Sequence, residues 1–314
     1  MLNFKTLALS DIPTVRPFLR RQNFRINDYS IGGIFMWRDF FKTYFCVFRD
    51  TLIFKVNYLD GITAFPIPIG KDPEAALGQI ENYCREKSIP LIFCTVPEES
   101  LPTLKRRYPD FSVKSDRNWS DYLYRTQDLI SFRGKKYHGQ RNHIHQFQRR
   151  YPNSQFEKIT AENLDGVRSF YEEFARSHPM DSPVGREESA KVSELLGHYS
   201  LYGLYGGCIR VEGRFAALSV GETVGDTIFV HVEKADTRYE GIYQVLVQEF
   251  LRHFETDGTP YVNREEDVGD EGLRKSKLSY HPVALLKKNT VRAFPKENPP
   301  EHSEKGDRHD DKTL

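Results

Sequence analysis

One pattern constrains this chain more than any other: its two halves carry matching residues in the same order. Ile12-Pro-Thr-Val-Arg-Pro-Phe18 and Leu164-Asp-Gly-Val-Arg-Ser-Phe170 share the form apolar-x-x-Val-Arg-x-Phe. Further along, Glu99-Ser-Leu101 with Tyr108-Pro109 is echoed by Glu271-Gly-Leu273 with Tyr280-His-Pro282. Matches recurring in one order, between similarly spaced elements, mean two copies of one α/β unit. The 314 residues are enough for two domains that each bury a core. The expected division is 1–130 and 131–294, with a Pro-rich, charged and disordered tail over 295–314.

The apolar periodicity fills in each copy. In the first, Ser10-Asp11 caps a helix to about Gln22, with Ile12, Val15, Phe18 and Leu19 on its apolar face. Strands are expected at 43–49, 51–58 and 62–67, then a helix from Asp72-Pro73 to Lys87 and strands at 90–95 and 121–125. Residues 24–41 are aromatic and irregular; Asn27-Asp28-Tyr29-Ser30 and Met36-Trp37 read as core packing before they read as pocket lining. In the second copy helices are expected over 160–178, 186–199 and 240–255. Its strands are expected at 201–211, 214–223, 227–234, 259–263 and 283–291.

Global charge says little about partners, because 45 Lys+Arg stand against 44 Asp+Glu. Local clustering says more. The segment Arg133 to Arg150 holds six Lys/Arg and three His with no carboxylate. Helical spacing puts Arg141, His145 and Arg149 on one face, and Ile144 and Phe147 on another that is held to the core. Such a surface suits phosphate or RNA backbone, although a solvated basic helix has the same look. His143 and His145 point apart on a helix and make no metal pair. The four cysteines, Cys46, Cys84, Cys94 and Cys208, are scattered without metal-like spacing and suit a reducing cytoplasm, the expected location. No run reaches the roughly 20 apolar residues of a membrane-spanning helix.

The densest charge mixture follows the strand at 259–263. From Tyr261 to Pro282 the carboxylates Glu265, Glu266 and Asp267 stand close to Arg264, Arg274, Lys275 and Lys277, broken by Gly269 and Gly272. A strand that ends in both charge signs beside glycines is a common way for α/β folds to build a polar site. Solvated ion pairs worth about 0–1 kcal/mol each are the plainer alternative.

These stretches carry a resemblance. The element order resembles the GNAT acyltransferase fold in tandem, each copy a mixed, largely antiparallel sheet flanked by helices, of α/β (α+β) class. Gly134-Lys-Lys136, Arg141-Asn142, Asn263-Arg-Glu-Glu-Asp-Val-Gly269 and Gly272-Leu-Arg-Lys-Ser-Lys-Leu-Ser-Tyr-His-Pro282 look like the DUF2156 family. That family is similar to the C-terminal domain of phosphatidylglycerol lysyltransferases and, more distantly, to Fem-type aminoacyltransferases. The likeness covers about residues 10–294.

What the resemblance implies is an acyltransferase. In GNAT enzymes a turn of the form Gln/Arg-x-x-Gly-x-Gly/Ala holds the pyrophosphate of acetyl-CoA at a helix N-terminus. Here Arg238 and Gly241 fit, but Tyr243 replaces the last small residue and the anionic Glu240 stands beside it. The expected donor is therefore aminoacyl-tRNA, bound through Lys135, Lys136, Arg141 and Asn142, with acyl-CoA as the alternative and no other cofactor implied. Lys277 lies in Gly-Leu-x-x-x-Lys, like the transfer-centre lysine of Fem-type enzymes, and is expected to contact the oxyanion or donor phosphate. Asp267 and Glu265 are expected to orient the acceptor or take its proton; turn capping is the other use for Asp267. Asn263, Arg264, Arg274, Tyr280 and His231 complete the expected substrate contacts; His231 alternates with Glu233 on one strand face, which also suits a plain sheet-surface pair. The acceptor, an amine or hydroxyl on a lipid headgroup or small molecule, is open, and peripheral membrane contact through the basic segment is compatible with it. A non-catalytic RNA- or anion-binding protein is the reading from another class.

Overall fold

Lys287 and Lys288 interrupt what reads in sequence as one strand over 283–291, and that interruption organises the fold. In the computed structural model, which describes residues 2–58 and 61–295, the chain forms Ala284–Leu286 and then Asn289–Ala293, in different sheets. Ala284–Leu286 pairs with Asp121–Arg125, whereas Asn289–Ala293 lies between Leu91–Val96 and Phe111–Ser115. The expected tail, apart from Pro295, lies outside the described residues.

The two units follow one plan, the second built on one seven-stranded sheet and the first on a five-stranded and a three-stranded sheet joined by a bridge. The second runs, edge to edge, Gln155–Lys158, Tyr205–Val211, Arg214–Val224, Thr227–Ala235, Tyr261–Asn263, Asp121–Arg125 and Ala284–Leu286. Only the Thr227–Ala235/Tyr261–Asn263 pair is parallel. In the first, Lys5–Thr6, Tyr44–Phe48, Thr51–Asn57 and Thr63–Ala64 pair antiparallel, and a parallel bridge from Phe65 to Phe93 leads to Leu91–Val96. Asn289–Ala293 and Phe111–Ser115 then complete it. Each unit thus takes one interior strand from the other half of the chain. A division at residue 130 follows sequence order, but strand Asp121–Arg125 hydrogen-bonds in the second sheet and Asn289–Ala293 in the first.

A shared core joins the units. Ile31, Phe35 and Met36 of helix Ile31–Trp37 pack with Val167, Leu195, Val220 and Val232 of the second half. The helix begins because the Ser30 side chain accepts the Gly33 N–H at 3.0 Å, an N-cap. Two glycines in so short a helix cost propensity. Contact explains Gly32: a Cβ there would stand 2.2 Å from the His231 ring. In the second unit, helix Ile242–Phe254 buries Ile242, Leu246, Phe250 and Leu251 against the sheet, as its periodicity indicates. Helix His138–Arg150 likewise buries Ile144 and Phe147, leaving His145, Arg149 and Arg150 exposed.

Gly32→Ala is expected to destabilise by about 1–3 kcal/mol through overpacking on His231. Gly139→Ala, in a helix with open space at its Cβ position, is expected to stabilise by about 0.4–1 kcal/mol. Denaturant midpoints of the two variants measure both; equal shifts would contradict the packing argument.

Candidate active site at the junction of the two units

The parallel strands Thr227–Ala235 and Tyr261–Asn263 stay paired only from 227–229 against 261–263. Beyond Asn263 the chain turns away, with Glu265, Val268 and Gly269 at φ of 56°, 44° and 84°. Such left-handed backbone in non-glycine residues needs outside support. Lys277 supplies it: its buried ammonium donates to the Arg264 and Glu266 carbonyls at 2.6 and 2.5 Å, on either side of Glu265. Burial lowers its pKa. The expected oxyanion contact is thus a clamp on its own loop, with two of its donors committed to backbone.

Asp267 is also committed. Its fully buried carboxylate receives Arg274 at 2.7 and 3.0 Å, Arg117 at 3.1 Å, the Tyr122 hydroxyl at 2.5 Å and the Gly269 N–H at 2.9 Å. Burial pushes its pKa up, but the Arg274, Tyr122 and Gly269 hydrogen bonds outweigh it and hold the carboxyl well below the usual range. A carboxylate held charged by so many donors does not take a proton from an acceptor, so the structure corrects that expectation. Arg274 also donates to the Asn118 side chain at 2.7 Å, so its Nε and Nη2 are held by the fold.

Between the diverging strands lie Glu233, Arg264, Tyr280 and His231. Arg264, buried, donates to Glu233 at 2.5 and 3.2 Å and sits 4.4 Å over the Tyr280 ring. His231 is enclosed between Glu265 at 2.8 Å on Nδ1 and Glu222 at 3.1 Å on Nε2, and Glu222 also accepts the Gly32 N–H at 2.7 Å. Burial alone would lower the His231 pKa, but the two carboxylates raise it from 6.5 to about 9. The imidazolium therefore holds Glu222 in place, and Glu222 reaches the other unit through the Gly32 N–H. Asn263 donates to Asp121 and to the Arg25 carbonyl, each at 2.7 Å, and accepts the Glu265 N–H at 2.6 Å. It positions the turn.

A second cluster went unread in the sequence. The Lys288 ammonium lies 2.9 Å from Asp28, 2.8 Å from Asp121, 2.9 Å from Glu266 and 2.5 Å from the Asn27 side-chain oxygen. Burial raises Asp121 to about 8, while Lys288 and hydrogen bonds overcome burial at Glu266 and hold it at about 2. The signal was the Lys287-Lys288 pair in an otherwise apolar strand pattern. This cluster forms one end of a cavity of about 700 Å3 walled by Ile34, Trp37, Phe40, Phe41, Phe54 and Trp119. Asn27, Asp28 and Trp37 line the cavity, while Tyr29 and Met36 are core.

The remaining expected contacts lie elsewhere. Arg238 is exposed and paired with Asp236 at 2.6 Å. At Gly241, with φ of 89°, a Cβ would stand 2.4 Å from the His143 carbonyl, so helix His138–Arg150 packs on the turn. The Tyr243 hydroxyl accepts the Ala235 N–H at 3.3 Å. Lys135 and Asn142 are exposed, Lys136 lies 3.4 Å from Asp128, and Arg141 donates to the Phe132 and Gly134 carbonyls. The basic segment is fastened beside the Lys277 helix: Gln140 donates to the Ser279 carbonyl at 2.6 Å and the Tyr137 hydroxyl to that of Tyr280 at 3.2 Å.

A family model described as phosphatidylglycerol lysyltransferase, C-terminal, matches residues 20–292. The chain belongs to that family. It is accordingly an acyltransferase, with the tandem GNAT-like fold that the sheets display. It is similar to a conserved protein of unknown function from Bacteroides thetaiotaomicron, at 31% identity and a TM-score of 0.85, covering 94% of this chain and 100% of that one. L-PGS from Bacillus licheniformis shares the fold at 14% identity and a TM-score of 0.63, covering 89% and 91% of the two chains. FemX does so at 7% identity and a TM-score of 0.57, covering 93% and 98%. No helix among the described residues of this lysyltransferase-family chain is long and apolar enough to cross a membrane.

Two outcomes follow from the junction. Because the folded pKa of His231 is raised, its stabilising effect is complete below about pH 6.5 and is lost as pH rises through about 9. Thermal unfolding from about pH 6 to about pH 10 should show that loss in the wild type and a flatter profile in His231→Gln. Asp267→Asn is expected to cost about 1–3 kcal/mol, since the buried side chain loses its charge-assisted hydrogen bonds to the Tyr122 hydroxyl, the Gly269 N–H and the partly exposed Arg117 and Arg274; a cost below about 0.5 kcal/mol in chemical unfolding would refute the structural role.

Proposed function

We propose that this protein transfers an aminoacyl group from aminoacyl-tRNA to an amine or hydroxyl acceptor. The observation that carries the reading is the filled gap between strands Thr227–Ala235 and Tyr261–Asn263. An acyl-CoA bound as in GNAT enzymes needs the turn before helix Ile242–Phe254 free for its pyrophosphate. Here helix His138–Arg150 packs on Gly241, and the Arg264–Glu233 pair with Tyr280 occupies the gap. A donor that approaches from outside, carried on a polyanion, avoids both obstructions.

The surface beside this gap suits such a carrier. Lys135, Arg149 and Arg150 are exposed in a segment without a carboxylate, and counter-ion release on binding RNA favours association. Family membership supports acyl transfer, and the rigid Asn263–Lys277 network supplies the fixed geometry that aligning two substrates demands.

The test incubates the purified protein with a mixed, labelled aminoacyl-tRNA pool and an acceptor-containing extract. One tRNA species should lose its label to a new product. Reversing Lys135, Arg149 and Arg150 to Glu should weaken tRNA binding at least tenfold and lower the log–log salt slope by roughly 2–3. Stabilisation by acyl-CoA esters without any effect of aminoacyl-tRNA would overturn the proposal.

A further inference from the structure

Around Lys288 three carboxylates converge on one ammonium. Asp28, Asp121 and Glu266 all lie within 2.9 Å of it. With buried Asp121 raised to about 8 and so mostly neutral near neutral pH, Asp28 and Glu266 still face one ammonium, and no other ammonium or guanidinium meets them in those contacts. Asp121 is sealed from solvent and also accepts the Asn263 side-chain amide and the Asn27 N–H. Asp28 and Glu266 face the cavity, where Asp116 and the exposed Lys114 also contribute to the lining. Asp28 is the most accessible of the three, at 25% side-chain exposure against 10% for Glu266 and none for Asp121. Nearby, the buried Thr95 Oγ1 lines the same cavity with no hydrogen-bond partner among the described residues.

A cavity with aromatic walls and an acid-rich end selects by charge as well as by size. A phosphate or carboxylate headgroup would meet like charge at that end, and a hydroxyl would leave the excess unbalanced. An ammonium supplies the missing positive charge and has donors for Asp28, Glu266 and Thr95. The volume of about 700 Å3 lies within the ordinary range for a drug-sized ligand and leaves room for an apolar body against Trp37, Phe40 and Phe41.

We propose that this cavity is the acceptor site and that the acceptor is a primary amine carried on an apolar body, with Asp28 as the group that takes its proton. The acceptor role rests on the aminoacyl-transfer reading; the binding itself does not. The ammonium gives one proton to Asp28, and the freed amine attacks the ester carbonyl of the aminoacyl group. The carbon–oxygen bond to the tRNA ribose then breaks as the amide forms. The second amine proton goes to the leaving ribose oxygen, and Asp28 returns the first to solvent. Ester and ammonium become amide, alcohol and one proton.

The chain carries its own reporters, because its two tryptophans, Trp37 and Trp119, both line the cavity. Octylamine, octanol and octanoate are titrated into the full-length protein near neutral pH, and tryptophan fluorescence is read. Octylamine is expected to saturate at a concentration at least tenfold below octanol, and octanoate to bind more weakly still. Asp28→Asn should abolish the preference for amine and keep octanol binding. Thr290→Phe, an exposed cavity-lining position, should block both ligands without loss of fold, as circular dichroism would verify. Equal binding of octylamine and octanol by the wild type, or octylamine binding undiminished in Thr290→Phe, would overturn the site, whether or not Asp28→Asn folds. Amine binding without aminoacyl transfer would leave the site standing and remove the donor. Transfer to an alcohol by a protein indifferent to amines would do the reverse.

Discussion

The Lys288 ammonium is where separate parts of this chain are made to agree. It sits at the crossover between Ala284–Leu286 and Asn289–Ala293, and its partners come from the segment before helix Ile31–Trp37, from the exchanged strand Asp121–Arg125 and from the turn after Asn263. A buried cation is expensive to desolvate, and several carboxylates at hydrogen-bond distance offset that cost. Removing any one of those segments would leave charge in a poorly solvated place. The interaction therefore specifies an arrangement more than it adds net stability.

The turn from Asn263 to Lys277 applies the same logic at a finer scale. Glu265 and Val268 hold left-handed backbone, and the Lys277 ammonium, the Asn263 amide and the Asp267 carboxylate each bond back to that loop. Strain of about 1–3 kcal/mol per such residue persists only where its surroundings over-determine it. Here they do so with buried polar groups that pack under Tyr122, Tyr124 and Tyr280. The result is a tightly bonded rim that borders the filled strand gap through Arg264 and the aromatic cavity through Glu266.

The sequence disclosed whatever depends on local period. The amphipathic helices Pro73–Glu86, His138–Arg150 and Ile242–Phe254 fall where their apolar residues recur. Two kinds of feature stayed hidden. Strand exchange leaves no local mark, because an alternating strand has the same pattern whichever sheet receives it. Residue type also does not disclose commitment: Lys277 and Asp267 look like catalytic groups until their hydrogen bonds to Arg264, Glu266, Arg274 and Tyr122 are seen. Lys288 is the opposite case, since neither its type nor its place within the expected strand over 283–291 marks it as buried. Its burial depends on Asp28 and Asp121, which are far away in sequence.

The exchanged strands also set an order in time. Leu91–Val96 and Phe111–Ser115 emerge early during synthesis, yet the strand that lies between them is Asn289–Ala293, the last described strand. Until it arrives, the first sheet has a slot with two unpaired rows of backbone donors and acceptors, a template for any passing strand. Contacts of such long sequence separation slow folding and prolong the exposure of intermediates. A newly made chain of this kind thus meets its greatest risk of mispairing while still on the ribosome, and completing its second half is what closes the first.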